Sequence, residues 1–203
     1  MSKLTVNSIL DVFNSRKSKP IQKFKEAAVM ILIEEIYGEL YIIFQVRSKE
    51  LNHQPGDICL PGGKVEADES YKDAAIRETM EEMNLNSSDI DIIGEMDYFI
   101  SPYGLILYPF IARANIPIIN YNNGEVDHIF KVPLDFFLDK EPFLYKMKIG
   151  PINIQEFPFE LLNINDNYKF SNGLLDQYFY KWNDYVIWGM TAHIIKSFID
   201  IIK

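Results

Sequence analysis

The chain has 203 residues, 48% of them apolar and 24% charged, a composition that excludes disordered and fibrous classes and leaves room for one full core. Its formal net charge is −9, and no Lys/Arg cluster resembles a nucleic-acid-binding face, so no nucleic-acid partner is expected. The longest strongly apolar stretch, Ala27 to Ile33, is too short to span a bilayer, and polar Asn7, Ser8 and Asp11 interrupt Leu4 to Phe13 in a way foreign to a signal peptide. No membrane partner is expected. The single cysteine, Cys59, excludes an internal disulfide framework and suits a reducing cytoplasm.

With no internal repeat or Pro/Ser-rich linker, residues 1–203 read as one domain. Thr5 to Phe13 has Val6, Ile9, Leu10 and Phe13 at helical spacing and predicts a short amphipathic helix. Glu26 to Glu34 and Glu39 to Arg47 are β-branched, apolar runs around Tyr37-Gly38, the pattern of a hairpin. A polar loop ends at Pro61-Gly62-Gly63, and Tyr71 to Met83 is the clearest helix. Ile90 to Ile100 and Leu105 to Arg113 predict two strands joined across Ser101-Pro102-Tyr103-Gly104. Val126 to Val132 follows as a strand, leading to a helical turn at Leu134 to Leu138. Phe143 to Ile149 and Tyr185 to Trp188 are late strand candidates, and Thr191 to Ile202 is a closing helix. Residues 150–183, rich in Asn and aromatics, carry no clear pattern. Strands on either side of a central helix, with helices at both ends, predict an α/β sandwich on a mixed sheet.

The central helix carries an unfavourable charge pattern. Ser70 is placed to cap it, with Asp73 three residues on as a loose capping box. Ile76, Met80 and Met83 share one stripe, while Glu78, Glu81 and Glu82 fall within an arc of roughly 100° opposite it. Carboxylates in the C-terminal half of a helix oppose the macrodipole, by roughly 0.3–1 kcal/mol each. Glu78 and Glu82 also repel each other at i,i+4, and no Lys or Arg lies four residues beyond any of the three. A divalent cation would remove both penalties, because hard cations take clustered oxygen ligands. On the helix alone, a solvated acidic face is the simpler reading.

The residues before the helix change that balance. The string Gly63-x5-Glu69-x7-Arg77-Glu78-x2-Glu81-Glu82-x-Asn84-Leu85 resembles the Nudix box, a motif of fixed spacing. The resemblance implies a loop–helix–loop on a Nudix-like α/β/α sandwich, hydrolysing a nucleoside diphosphate linked to another moiety with Mg²⁺ or Mn²⁺. It implies Glu78, Glu81, Glu82 and the Gly62 carbonyl as metal ligands, with Glu78 and Glu82 central to catalysis. It pairs Arg77 with Glu69 to hold loop and helix in register. The alternative for Arg77 is a surface pair with Asp73 or Glu81. Asn84 stands where the family has glycine, and Asn is the best substitute where φ is positive.

The segment Val46 to Gly63 resembles an additional motif of the coenzyme A pyrophosphatase branch of the Nudix hydrolase superfamily. Arg47, Ser48, Gly56, Pro61, Gly62 and Gly63 match, whereas Asn52 replaces a family arginine and Leu60 a phenylalanine. Val132 to Leu138 and Val186 to Ala192 also resemble that branch, although Gly189-Met190-Thr191-Ala192 is explained as well by a strand-to-helix turn with Thr191 as N-cap. The resemblance implies that Arg47 and Ser48 bind substrate and that coenzyme A is cleaved to adenosine 3′,5′-bisphosphate and 4′-phosphopantetheine. Other Nudix substrates (ADP-ribose, NADH, a nucleoside triphosphate) and a non-catalytic nucleotide sensor are the competing readings. Glu125 is a candidate carboxylate from outside the box, His53 reads as a loop residue, and Cys59 has no neighbouring base to make it a nucleophile. A homodimer is compatible with the sequence.

Overall fold

The computed structural model describes residues 4–162 and 168–203; of the tract that carried no clear pattern, 163–167 lie outside the described part. The elements are α1 (Val6–Phe13), β1 (Lys25–Ile36), β2 (Glu39–Arg47), β3 (Ile58–Cys59), β4 (Gly62–Lys64), α2 (Tyr71–Met83), β5 (Ile90–Glu95), β6 (Phe99–Ser101), β7 (Leu105–Ala114), β8 (Val126–Pro133), α3 (Leu134–Asp139), β9 (Phe143–Ile149), β10 (Gly173–Trp182), β11 (Tyr185–Trp188) and α4 (Gly189–Ile202). Short 3-10 turns lie at Ser87–Asp89, Ile154–Glu156 and Phe159–Leu162.

Eight strands form one mixed sheet with the path β3-β2-β1-β7-β5, and β4, β6 and β8 pair with β1, β7 and β2. The β1–β7 pairing is parallel and the other pairings are antiparallel. The predicted hairpin is β1–β2, with Tyr37 and Gly38 both at positive φ. Both faces of β1 are covered, which accounts for its almost unbroken apolar run. Ala28, Met30 and Leu32 face Ala74, Ala75 and Met83 of α2, while Ile31 and Ile33 join Phe137 of α3 and Ile195 and Phe198 of α4. This is the expected α/β/α sandwich.

Several elements differ from the sequence reading. The run Ile90 to Ile100 is two strands: a bulge near Gly94 shifts the β5–β7 register, and Met96 to Tyr98 separate it from β6. Pro109 on β7, opposite that gap, has no N–H to offer the ladder, though its carbonyl accepts from Met96 N–H. Helix α4 starts at Gly189, where φ is +63°, so Thr191 is inside the first turn and does not cap it. Its hydroxyl instead donates to the Ile58 carbonyl at 3.3 Å. Strand β10 lies within the unassigned tract and makes a second, antiparallel sheet of order β11-β10-β9. Tyr180 and Ile187 of this sheet share the core of Phe130, Phe137 and α4. Helix α1 starts one residue later than its periodicity suggests, because Thr5 is its N-cap, and no residue on it is buried. Among the described residues, no helix is long and apolar enough to cross a membrane.

Candidate active site and metal centre

The site begins with two glycines. Gly62 has φ +145°, and a Cβ there would meet the Ala28 carbonyl and the Val29 backbone. Glycine thus lets β4 pair with β1 through Val29↔Gly62 and Ala28↔Gly63. A side chain at Gly63 would collide with the Glu78 carboxylate. The pair lets α2 lie directly on the strand turn, with Glu78 and Glu82 against it.

Helix α2 is ended as its sequence requires. Ser70 Oγ accepts from Asp73 N–H at 3.2 Å, and Asn84 adopts φ 51°, ψ 49°. The reciprocal half of a capping box is replaced by a bond from the Ser70 hydroxyl to Asp73 Oδ2. The buried side of the helix is made of Ala74, Ala75, Thr79, Glu82 and Met83, whereas Ile76 and Met80 are only half-buried. One edge of the acidic arc is therefore also the packed edge.

That geometry sorts the three glutamates. Glu82 is 3% exposed, and its Oε2 accepts the Gly62 N–H at 2.8 Å. Burial pushes its carboxyl up to about 7; the Gly62 amide and the Gln45 side chain oppose this, and the charges of Glu78 and Glu125 add to it. Glu78 is half-buried and shifted in the same direction by desolvation, with Arg77 opposing and Glu81 and Glu125 adding. Glu81 lies outward at the rim, 3.6 Å from Arg77. Glu125 is solvent-exposed on the β7–β8 loop. Its loop is tied to the site by Asn122 N–H donating to the Glu82 carbonyl and by Ser48 N–H donating to the Glu125 carbonyl.

Arg77 has more partners than its spacing suggested. Nε and Nη2 donate to the two oxygens of Glu69 at 3.2 and 2.8 Å, and Nη2 also reaches the Lys64 carbonyl at 3.2 Å. Nη1 donates to Glu78 Oε1 at 2.8 Å. One planar fork thus joins the loop, β4 and a helix carboxylate. Glu69 further accepts the Glu66 N–H, and these bonds hold its carboxyl below the usual range. Asp73, an alternative partner for Arg77, is engaged by Ser70.

Upstream, Arg47 and Ser48 part company. Arg47 ends β2 beside a cavity, with Nε donating to the His53 carbonyl at 3.4 Å. Ser48 is buried and does not line that cavity; its hydroxyl accepts the Glu50 N–H. Cys59 has its thiol pushed up to about 11 by burial and by the charge of Glu82, so it stays protonated at neutral pH. Gln45 was not anticipated. It is fully buried, donates to Cys59 Sγ at 3.5 Å and faces Glu82. Its only sequence signal is a polar residue inside an apolar strand.

The donor chemistry of the site fits a hard divalent cation. Glu82 is a buried carboxylate opposed by two neutral donors, with two further carboxylates near enough to raise it. Among the described residues, no three His, Cys, Asp or Glu side chains already gather around one point, because Glu78 is turned onto Arg77 and Glu81 outward.

Comparison with known proteins adds family membership. Residues 24–147 match the model of the NUDIX domain. The chain is 32% identical to the peroxisomal coenzyme A diphosphatase ndx-8 of Caenorhabditis elegans over 120 residues, 57% of this chain and 51% of the relative. It is 33% identical to Nudix hydrolase 15, mitochondrial, of Arabidopsis thaliana over 184 residues, 85% and 57% of the two chains. It therefore spans little more than half the length of these relatives. The crystal structure of a MutT/nudix family protein from Enterococcus faecalis aligns with a TM-score of 0.52 at 15% identity, covering 98% of this chain and 70% of that one, a likeness of fold. Since the matched model takes in the glycine turn, the Arg77–Glu69 clasp and the glutamate helix together, this chain belongs to the Nudix family.

Proposed function

We propose that this chain is a divalent-metal-dependent pyrophosphohydrolase that cleaves coenzyme A or an acyl derivative to adenosine 3′,5′-bisphosphate and the 4′-(acyl)phosphopantetheine. The observation that carries the chemistry is Glu82, buried beside Gly62 with Glu78 and Glu125 near and, among the described residues, no cationic side chain paired with it. Glu78, Glu81 and Glu82, with the Gly62 carbonyl, would hold Mg²⁺ or Mn²⁺. When bound, such an ion neutralises charge on the phosphoryl oxygens and makes water a competent nucleophile near neutral pH.

The chain's own residues do the remaining work. The Gly62 N–H and Gln45 aim Glu82, and Arg77 fixes the loop against the helix through Glu69. Water adds to one phosphorus, a carboxylate of the site takes its proton, and the anhydride P–O bond breaks toward the other phosphate. Arg47, at the wall of the adjoining cavity, supplies a cation for the phosphates. No protein nucleophile is required, in keeping with the protonated Cys59. The coenzyme A assignment draws support from the Arg47 to Gly63 segment and from the coenzyme A diphosphatase named among the relatives.

Incubation with Mg²⁺ and a panel of coenzyme A, acyl-coenzyme A, NADH and ADP-ribose, with products identified by mass, tests the reading. Adenosine 3′,5′-bisphosphate from coenzyme A is expected. Cleavage of ADP-ribose or NADH alone would reassign the substrate, and binding without cleavage of any would favour a nucleotide sensor. The proposal further takes the protein as one domain, cytoplasmic and able to form a homodimer. The core shared by both sheets supports the first, the free thiol of Cys59 the second and the exposed apolar side of α1 the third. Limited proteolysis, cell fractionation and light scattering test these in turn.

A further inference from the structure

A cavity of about 570 Å³ lies against β3, between the second sheet, the β6–β7 turn and the start of α4. Its size is that of a small-molecule site. None of Glu78, Glu81 or Glu82 lines it, but it adjoins Glu82: Cys59 is in its wall, and Gln45 links Cys59 to Glu82. Arg47 stands at the same end. Much of the opposite wall (Gln177, Phe179, Trp188, Met190 and His193) lies beyond residue 147, outside the part of the chain that matches the NUDIX domain. The wall is therefore a place where this chain can choose a substrate by means the domain model does not describe.

The lining says which part of a substrate it suits. Phe99, Tyr103, Tyr145, Phe179 and Trp188 present rings, and Met147 and Met190 are adaptable apolar fillers. Two amides, Gln54 and Gln177, offer hydrogen bonds. Among the described residues the charged lining is Arg47 and Asp57, which cancel. His193 adds no cation: its Nε2 bonds the Asp176 carbonyl at 2.6 Å, its ring packs against Phe99 and Tyr178, and burial lowers its pKa. A 3′-phosphate carrying up to two negative charges would be desolvated there without matching cations, a costly arrangement. An uncharged chain with amides and an apolar extension meets what it needs.

We propose that this cavity binds the non-nucleotide arm of the substrate, the pantetheine chain and its acyl extension, with the pyrophosphate held at the Arg47 and Cys59 end and the nucleotide outside. This rests on the coenzyme A reading above. Selection is then made on the arm, and acyl chains are favoured up to the length the cavity admits.

The test uses the full chain, as wild type, Trp188→Ala and Met147→Trp. Trp188 is half-exposed, so its removal tests contact without emptying the core, while Met147→Trp fills the space. Binding of 4′-phosphopantetheine and of adenosine 3′,5′-bisphosphate is measured by calorimetry, alongside kcat/KM for coenzyme A, octanoyl-coenzyme A and ADP-ribose. Both variants should weaken 4′-phosphopantetheine by about tenfold and leave the bisphosphate within about twofold. Met147→Trp should lower kcat/KM for octanoyl-coenzyme A more than for coenzyme A. Loss of bisphosphate binding instead, or equal loss of both, would overturn the assignment in favour of a nucleotide site or a general distortion. Cleavage of coenzyme A by wild type with unchanged phosphopantetheine binding in both variants sinks the arm assignment alone. Cleavage of ADP-ribose but not coenzyme A sinks the underlying reading and this one with it.

Discussion

The turn-and-helix region from Gly62 to Leu85 and the cavity wall of β9, β10, β11 and the start of α4 are built on opposite principles. The first is a small set of charged groups, each with named partners: Glu82 on Gly62, Glu69 on Arg77, Arg77 on Glu78. The second is a surface of rings and methionines with few directional bonds. Electrostatic work depends on position, since desolvated charges interact steeply with distance. Apolar binding tolerates changes of shape and loses affinity gradually. Changes in the first region should therefore act on kcat, and changes in the second on substrate choice.

The largest expected effect tests the first half of that contrast. Glu82→Gln and Glu78→Gln should each lower kcat by about 10²–10⁴-fold, with the far-ultraviolet circular dichroism spectrum and cooperative unfolding retained. Near-full activity in both would remove the metal site from this helix. Next, Gly63→Ala should lower kcat by about 10²-fold while coenzyme A binding changes little, because the new methyl group displaces the Glu78 carboxylate. If KM rather than kcat responded, the separation between the two regions would fail.

Acid titration of the metal-free protein sharpens the same point. The Glu82 carboxyl is pushed up to about 7 from an ordinary 4.5, so the folded state disfavours its charged form. For a carboxyl raised on folding, the penalty is full above the folded pKa and gone below the unfolded one. This group should therefore stabilise the wild type, relative to Glu82→Gln, as pH falls from about 8 to about 4.5, by on the order of 2–3 kcal/mol. Chemical denaturation in chelator across that range measures it. Added Mg²⁺ should protect the wild type more at pH 8 than at pH 5.5. A Glu82→Gln profile parallel to the wild type would show that this carboxyl is not the strained group.

Two smaller effects complete the series. Arg77→Lys keeps the charge but loses the fork to Glu69, and kcat should fall by about tenfold. Ser70→Ala should cost about 1 kcal/mol of stability by removing the cap, with kcat/KM unchanged.

What could be read along the chain was whatever local chemistry dictates. Helical periodicity, the Ser70 cap, positive φ at Asn84 and the Tyr37-Gly38 turn depend on residues within a few positions of one another, and each recurs in the structure. The spacing from Gly63 to Leu85 likewise carried the family. The wall strand β10 was missed, although Trp182-Asn183-Asp184-Tyr185 is a two-residue hairpin signal and Asn183 has φ 51°. The Asn-rich segment before it masked the pattern. Similarly, the break between β5 and β6 and the start of α4 follow from their partners, a bulge opposite β7 and the Ile58 carbonyl that takes the Thr191 hydroxyl.

Tertiary structure alone decided how the three glutamates differ. They are equivalent as letters, but packing α2 on Gly62 and Gly63 buries Glu82, half-buries Glu78 and leaves Glu81 outside. It also brought Gln45 and Glu125 to the same helix from 37 and 43 positions away from Glu82, counted along the chain (82 − 45 and 125 − 82). Burial and long-range charge are sums over such distant neighbours, so no local pattern encodes them.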